Sequence, residues 1–491
     1  MGKVAGPSAA PAKKPATHQP NIVLVVVDDQ ARNSFQRSYM PHAFADLVER
    51  GTRFVNGLAA PPDCCPDRAG ILTGEYPHNH GVFSDRPGYL SLRDPGNTLP
   101  VWLHRAGYRT GLVGKFLNKY RETQGSVPAP GFDQWFMGAG NYYGYGVSDN
   151  GVPRHYGTRR QDYSTDVLTQ QAMRFVRGRS PFFLWLGYNA PHVANRHFGH
   201  PYGNGPCRGP MPEPPSDAAF HRFRRVPLPR PPSFNERRVG DKPTRIRSLP
   251  TLSQNEVRVI RRRWRCTLAT MSTVDADLHR LFTELHRRGE LSKTIIVYVS
   301  DNGLFFGEHR IPAGKGFPYE EALRVPFVVR VPPSLGGGPP LVRKVVSNQD
   351  IAPTLLHYAH AKPCAAPNAC RLIDGHSLVP LLGGPGTWPK DRGVLAELNT
   401  KTGPECACAY EAIRTQRYMY DEWSTGEKEL YDLKVDPNEL RNLAGSAPYG
   451  EIQRSLAERL ARLRHCSGPS CQLLGAPATG RTGLSSAGLG P

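Results

Sequence analysis

Two short acidic runs stand where apolar segments of the chain end. Asp28-Asp29 follows the run Asn21–Val27, and Ser300-Asp301-Asn302-Gly303 follows Thr294–Val299. Carboxylate and amide oxygens are hard donors. If these runs close neighbouring strands, Asp28, Asp29, Asp301 and Asn302 form a donor set suited to Ca²⁺ or Mg²⁺. Taken singly, each pair reads as readily as a turn or helix cap. Between them lies Cys64-Cys65-Pro66-Asp67-Arg68-Ala69-Gly70-Ile71-Leu72-Thr73-Gly74. A lone cysteine is more often a small buried hydrophobe than a reactive group. Here, though, Arg68–Thr73 reads as the start of a helix, whose N-terminus and arginine both favour an anion.

The elements that must position these groups follow from the apolar pattern. Asn21–Val27, Phe182–Tyr188, Thr294–Val299 and Val325–Val329 are continuous apolar, β-branched or aromatic runs, as in buried parallel strands. Val274, Leu278, Leu281, Phe282 and Leu285 recur with helical spacing. Strands alternating with helices predict an α/β fold, an α/β/α sandwich around a mostly parallel sheet with its site at the carboxyl ends of the strands. The Pro- and Arg-rich stretch His197–Pro250 reads as a surface excursion over that site. After the turn-rich segment 382–387, strand patterns at Gly393–Leu398, Glu411–Arg414, Arg417–Asp421 and Glu429–Asp432 precede an amphipathic run, Glu451–Arg464. The expected organisation is a disordered basic leader (1–19), a catalytic domain (20–382), a small C-terminal α+β module (388–465) and a disordered tail (467–491).

The Cys64–Gly74 segment resembles the signature of the formylglycine-dependent sulfatases: Cys-x-Pro-x-Arg, an apolar pair, then Thr-Gly. The likeness continues in order along the chain. It takes in Ala106-Gly107-Tyr108-Arg109-Thr110 with Gly114-Lys115-Phe116-Leu117-Asn118, then Asn189-Ala190-Pro191-His192. It continues through Gly307-Glu308-His309 with Lys315, Asn348–Thr354, and Glu429–Leu433 with Asn442-Leu443. The resemblance implies an alkaline-phosphatase-like fold and sulfuric ester hydrolysis. Cys64 would be oxidised to formylglycine by a maturation enzyme and hydrated to a geminal diol. One hydroxyl would attack sulfur and the other would drive sulfate release, which a serine could not do. Asp28, Asp29, Asp301 and Asn302 would hold Ca²⁺, with Mg²⁺ the alternative. Arg68, Lys115 and Lys315 would neutralise sulfate oxygens, and His192 or Lys315 would protonate the leaving alcohol. His80, Asn118 and His309 are further substrate-contact candidates, His309 equally readable as a supporting group.

Two positions depart from the pattern. Asp67 stands where many members carry Ser, and Leu117 stands where many carry His. The Gly-Lys-Phe-Leu-Asn-Lys-Tyr version, Cys-Cys-Pro and Pro77-His78-Asn79-His80 are similar to the N-acetylglucosamine-6-sulfatase and heparan 6-O-endosulfatase branch. That implies a sulfated sugar substrate of glycosaminoglycan type. The formal charge of +20 over 491 residues is compatible with a polyanionic partner; no nucleic-acid partner is expected. Two other readings use the same residues. One is a phosphate or phosphonate monoester hydrolase of the alkaline phosphatase superfamily; the other is a non-catalytic polyanion binder with unconverted Cys64.

Of ten cysteines, Cys364/Cys370 and Cys466/Cys471 bracket short loops as local disulfides would, and the absence of Cys-x-x-Cys argues against a zinc site of that kind. Eight cysteines besides Cys64 and Cys65 point to an oxidising compartment, whereas residues 1–20 contain no apolar signal segment. The balance favours export. No stretch is long and apolar enough to span a membrane.

Overall fold

Ile22 through Val27 of strand β1 (Asn21–Val27) are wholly shielded from solvent, as a strand covered on both faces must be. Ile22, Leu24 and Val26 enter one core, and Val23, Val25 and Val27 the other. The period-two alternation of a strand therefore divides one apolar run between two layers. The computed structural model describes residues 19–120, 127–138, 140–194, 205–398 and 409–473.

The first core is closed by the Cys64–Thr73 helix and the Ile351–Ala359 helix. The second is closed by the Ser164–Val176 helix and the long Gln254–Arg287 helix, whose Val274, Leu278, Leu281, Phe282 and Leu285 all face inward. Ser253 and Glu256 form a capping box at the start of the long helix.

The sheet between these layers has ten strands: β1, β2 (Thr52–Leu58), β3 (Arg109–Gly114), β4 (Gln134–Gly138), β5 (Tyr145–Asp149), β6 (Val152–Tyr156), β7 (Phe182–Gly187), β8 (Thr294–Ser300), β9 (Phe327–Arg330) and β10 (Leu341–Ser347). Their spatial order is β10-β2-β9-β8-β1-β7-β3-β4-β5-β6. The central strands β8, β1, β7 and β3 run parallel to one another, so their carboxyl ends share one edge. The Val325–Val329 run does form a strand, β9, but an antiparallel one against β8 and β2. The chain leaves β8 at the functional edge, makes a long loop there, and re-enters from the same end without a crossover.

The described part of the insertion packs inward as well as covering the surface. Met211, Phe220, Phe223 and Leu228 join a core with Trp264 and Leu268 of the long helix. A Cys207–Cys266 disulfide fastens the two. Cys364–Cys370 and Cys466–Cys471 are also bonded. Cys64 and Cys65 are free, while Cys406 and Cys408 lie outside the described residues.

Towards the C-terminus, Val394–Leu398, Tyr410–Arg414, Tyr418–Trp423 and Lys428–Asp432 form a four-stranded antiparallel sheet. The Gly450–Leu463 helix buries Leu456, Leu460 and Leu463 against it. Of the stretch read as a tail, Ser467–Leu473 is structured. Pro469–Leu473 is a short helix, Cys471 is tied to Cys466, and Gly468 N–H donates to Asp374 at 2.6 Å. The remainder of that tail and residues 1–18 of the leader lie outside the described residues, and Gln19 bonds the Ala359 carbonyl. No helix among the described residues is long and apolar enough to cross a membrane.

Candidate active site

Each of the four central strands delivers a polar group at its carboxyl end. Lys115 follows β3, His192 lies beyond β7, Asp28-Asp29 follows β1, and Asp301-Asn302 follows β8. The Cys64–Thr73 helix points its first residue at this edge. It begins at Cys64, earlier than the Arg68 start read from the sequence, and its ten residues are all buried. Gly74 ends it in the left-handed region (φ 72°), with its N–H on the Gly70 carbonyl.

These elements bring the predicted residues together around Cys64. Its Sγ lies 2.5 Å from Lys315 Nζ, 3.2 Å from Asp28 Oδ1 and 3.6 Å from Asn302 Oδ1. Lys115 Nζ donates to Asp28 Oδ2 at 2.5 Å, and Lys315 Nζ to Asp29 Oδ1 at 2.6 Å. Arg68, fully buried, donates from Nε to Asp301 Oδ2 at 2.7 Å and from Nη1 to the Lys115 carbonyl at 3.0 Å. Its Nη2 has no partner, leaving a buried donor unspent. His192 Nε2 stands 3.8 Å from Asp29 Oδ2, with Nδ1 2.8 Å from the Val193 carbonyl. Asp29 adopts φ 69°, unusual for a residue with a side chain. Its N–H on Asp301 Oδ1 and the Asn302 amide on its own Oδ1 hold it there.

The electrostatics follow from burial against pairing. Burial pushes the Asp28 carboxyl up, but Lys115, His192, Lys315 and Arg68 outweigh it and hold it far below its usual range. Asp29 is lowered in the same way, burial being outweighed chiefly by Lys315 and His192. Burial, with Asp28 beside it, raises Asp301. Burial and the Asp28 and Asp301 carboxylates push the Cys64 thiol well up, so as a cysteine it stays protonated. Lys115 and Lys315 resist burial and are held as ammonium ions, mainly by Asp28 and Asp29 respectively. Ligand atoms of Asp28, Asp29, Cys64 and Asp301 fall within 4.8 Å of one another. A hard divalent cation fits this buried, oxygen-rich set.

A family profile described as Sulfatase matches residues 20–361. This chain belongs to the sulfatase family. A second profile, the C-terminal region of N-sulphoglucosamine sulphohydrolase, matches residues 307–466 of this sulfatase. It is 31% identical over 508 residues to the N-acetylglucosamine-6-sulfatase of Capra hircus, covering 93% of this chain and 85% of that one. It is 31% identical over 378 residues to the extracellular sulfatase SULF-1 homolog of Drosophila melanogaster, covering 74% of this chain. The sulfatase spans 31% of that relative's length, and 49% of its Caenorhabditis elegans counterpart's. Among solved structures, one in complex with its substrate D-glucosamine-2-N,6-O-disulfate superposes with a TM-score of 0.72 at 24% identity, covering 90% of this chain and 97% of that one. The phosphonate monoester hydrolase of Agrobacterium radiobacter superposes with a TM-score of 0.68 at 22% identity, covering 91% and 95%. At these identities the likenesses establish the fold. The family to which the profile assigns the chain is one of sulfuric ester hydrolases, generally metal- and formylglycine-dependent.

Not every residue singled out in the sequence joins the cluster. Asn118 is half-buried, and its N–H donates to Cys65 Sγ at 2.9 Å, so Cys65 braces the loop after β3. The His80 ring is fully buried, with Nδ1 accepting from Val82 N–H at 3.1 Å. Burial, then Arg371, depresses it to about 3. A neutral buried imidazole supports a turn and offers no surface to a substrate. His309 is likewise fully buried, stacked on Tyr319 with centroids 4.4 Å apart, its Nδ1 2.8 Å from Glu236 Oε2. Burial opposes its charge, but Glu321 and Glu236 lift it to about 10. Asp67 turns away from the sulfate site, its Oδ2 accepting from the Asn348 amide at 2.7 Å. Burial pushes its carboxyl well above the usual carboxylate range. One group was missed: Asp63, just before Cys64, is pushed up to about 8 by burial and Asp85. Adjacency to Cys64 was its signal; the approach of Asp85, with ligand atoms within 4.8 Å, was not legible.

Proposed function

We propose that this sulfatase removes sulfate from sulfated sugars, glucosamine 6-sulfate of glycosaminoglycan type foremost. It acts through formylglycine at Cys64 beside a Ca²⁺ held by Asp28, Asp29, Asp301 and Asn302. The observation that carries the reading is the cationic ring on Cys64: Lys315 on its Sγ, Lys115 across Asp28, and Arg68 with a buried donor unspent. The relatives' named substrates and the +20 charge support the sugar class. Three disulfides among the described residues support export to an oxidising compartment. Segment 20–382 would be the catalytic unit and 388–465 a module closing one side of it.

The bound cation supplies Lewis-acid polarisation of a sulfate oxygen. Hydrated formylglycine would supply one hydroxyl that attacks sulfur and a second that re-forms the aldehyde as sulfate departs with the first oxygen. This chain's residues set the geometry. Arg68 Nη2, Lys115 and Lys315 receive the sulfate oxygens in a site where preorganised donors need no solvent reorganisation. Lys115 and Lys315 serve as clamps, and His192 or Lys315 protonates the leaving alcohol. His192 Nδ1 is fixed on the Val193 carbonyl, so Nε2 is the ring atom available to the leaving oxygen.

The test is peptide mass spectrometry across Cys64–Arg68 on protein from a host that makes formylglycine, with turnover of aryl sulfate, aryl phosphate and glucosamine 6-sulfate on the same batch. Conversion of the thiol to the aldehyde, with sulfate turnover lost in Cys64→Ala, supports the reading. A retained thiol with undiminished turnover, or preference for the phosphate, defeats it. Chelation followed by Ca²⁺ or Mg²⁺ addition, read by thermal midpoint as well as rate, assigns the ion.

A further inference from the structure

The loop from β8 to β9 carries Lys315 at its middle, with His309 and Glu321 evenly placed on either side. On its far side, the side chains of His309, Glu321 and Glu439 converge. Ligand atoms of the three residues lie within 4.8 Å of one another, and His309 Nε2 is 3.6 Å from Glu321 Oε2. His309 Nε2, Glu321 Oε2 and Glu439 Oε1 are shut off from solvent and have no hydrogen-bond partner, and His309 and Glu439 are fully buried.

The opposite atom of each side chain is already held. Glu236 Oε2 takes His309 Nδ1 at 2.8 Å, Ser233 Oγ donates to Glu321 Oε1 at 3.0 Å, and Glu320 N–H donates to Glu439 Oε2 at 2.9 Å. A histidine backed by a carboxylate, with its other nitrogen turned into a cluster of oxygens, is how proteins orient metal ligands. Glu236, Glu321 and Glu439 bring three carboxyl groups around His309, and Lys242 lies 3.9 Å from Glu236.

We propose that His309, Glu321 and Glu439 bind a divalent transition-metal ion of the zinc type, separate from the Asp28–Asp301 cluster. The imidazole ligand disfavours Ca²⁺ and Mg²⁺, which take oxygen donors, and suits Zn²⁺ with water in the fourth position. The ion takes the place of the Nε2 proton. It closes the loop that holds Lys315 and fastens it to Glu439 of the C-terminal module. Glu236, behind His309, links the insertion to the same point.

Full-length protein stripped with chelator and refilled with excess Ca²⁺ would be titrated with Co²⁺, whose visible d–d absorption reports a nitrogen- and oxygen-ligated site of low coordination number. The expected result is about one Co²⁺ per chain, displaced by Zn²⁺, lost in Glu439→Gln and retained in Asp28→Asn. Zn²⁺ should raise the thermal midpoint of the wild type but not of Glu439→Gln. Absence of the absorption, or its persistence in Glu439→Gln, overturns the proposal. Histidine 309 is then an imidazolium paired with two carboxylates. Should Glu439→Gln fail to fold, X-ray absorption of the zinc-loaded wild type decides: imidazole scattering upholds the site, and an all-oxygen shell overturns it.

Discussion

Arg68 shows how one side chain serves both structure and chemistry. It is sealed from solvent, tied to Asp301 through Nε and to the Lys115 carbonyl through Nη1, with Nη2 left over. Losing one partner of a buried ion pair leaves the other charge uncompensated, at about 3–5 kcal/mol. Arg68→Gln is therefore expected to lower folding stability by that order. Arg68→Lys keeps the charge but loses the fork. It should fold better than Arg68→Gln, yet lower kcat/KM by about 10²–10³-fold, the typical loss for one preorganised donor. Denaturant melts and sulfate-ester kinetics on both variants check this. Equal activity for Arg68→Lys and wild type would show that Nη2 does not reach the sulfate. His192 was readable beside Arg68 because Pro191 and the preceding apolar run placed it at a strand end. His309 and His80 were not, because what removes them from the substrate is contact with residues distant in sequence: Glu236 and Glu321 around one, Arg371 near the other.

At the scale of elements, the strand ends did most to make the site legible. The runs Asn21–Val27, Phe182–Tyr188 and Thr294–Val299 became three adjacent parallel strands, β1, β7 and β8. A buried parallel strand has apolar residues on both faces and so announces itself without alternation. Strand direction is less visible. β9 looks like its neighbours by composition, and only the return path of the Lys315 loop makes it antiparallel. The Cys64–Thr73 helix depends on its far end as well as its first turn. At Gly74 an added Cβ would stand 2.8 Å from Ile373 Cγ2 in a backbone region that side chains disfavour. Gly74→Ala should cost about 1–2 kcal/mol from the left-handed conformation alone. Its thermal midpoint should fall while turnover per folded molecule stays close to wild type, since Cys64 lies at the opposite end. A change in KM as large as the change in stability would instead mean that the helix shifts as a body.

Across the whole molecule, the positive charge and the buried titratable groups pull stability in different directions with pH. An excess of 62 Lys and Arg over 42 Asp and Glu grows as carboxylates protonate, so acid raises self-repulsion. Within that general trend, His80 makes a separable contribution. Burial and Arg371 lower its folded-state value to about 3 from 6.5, so between these values the unfolded chain binds a proton that the folded chain refuses. Stability from this group is complete above 6.5 and drains away as the pH falls towards about 3, by about 4–5 kcal/mol in all. Asparagine keeps an oxygen able to accept the Val82 N–H and carries no titratable proton. His80→Asn should therefore flatten the acid arm of the stability curve relative to wild type while leaving the neutral region nearly level. The comparison needs denaturation midpoints for both proteins at neutral pH and near pH 4. Asp28, held far below its usual range, adds acid sensitivity to both proteins alike and cancels in the difference. Parallel curves would mean that the His80 ring is hydrated, and the packing of the His78–Val82 turn would then have to be looser than the shielded core requires.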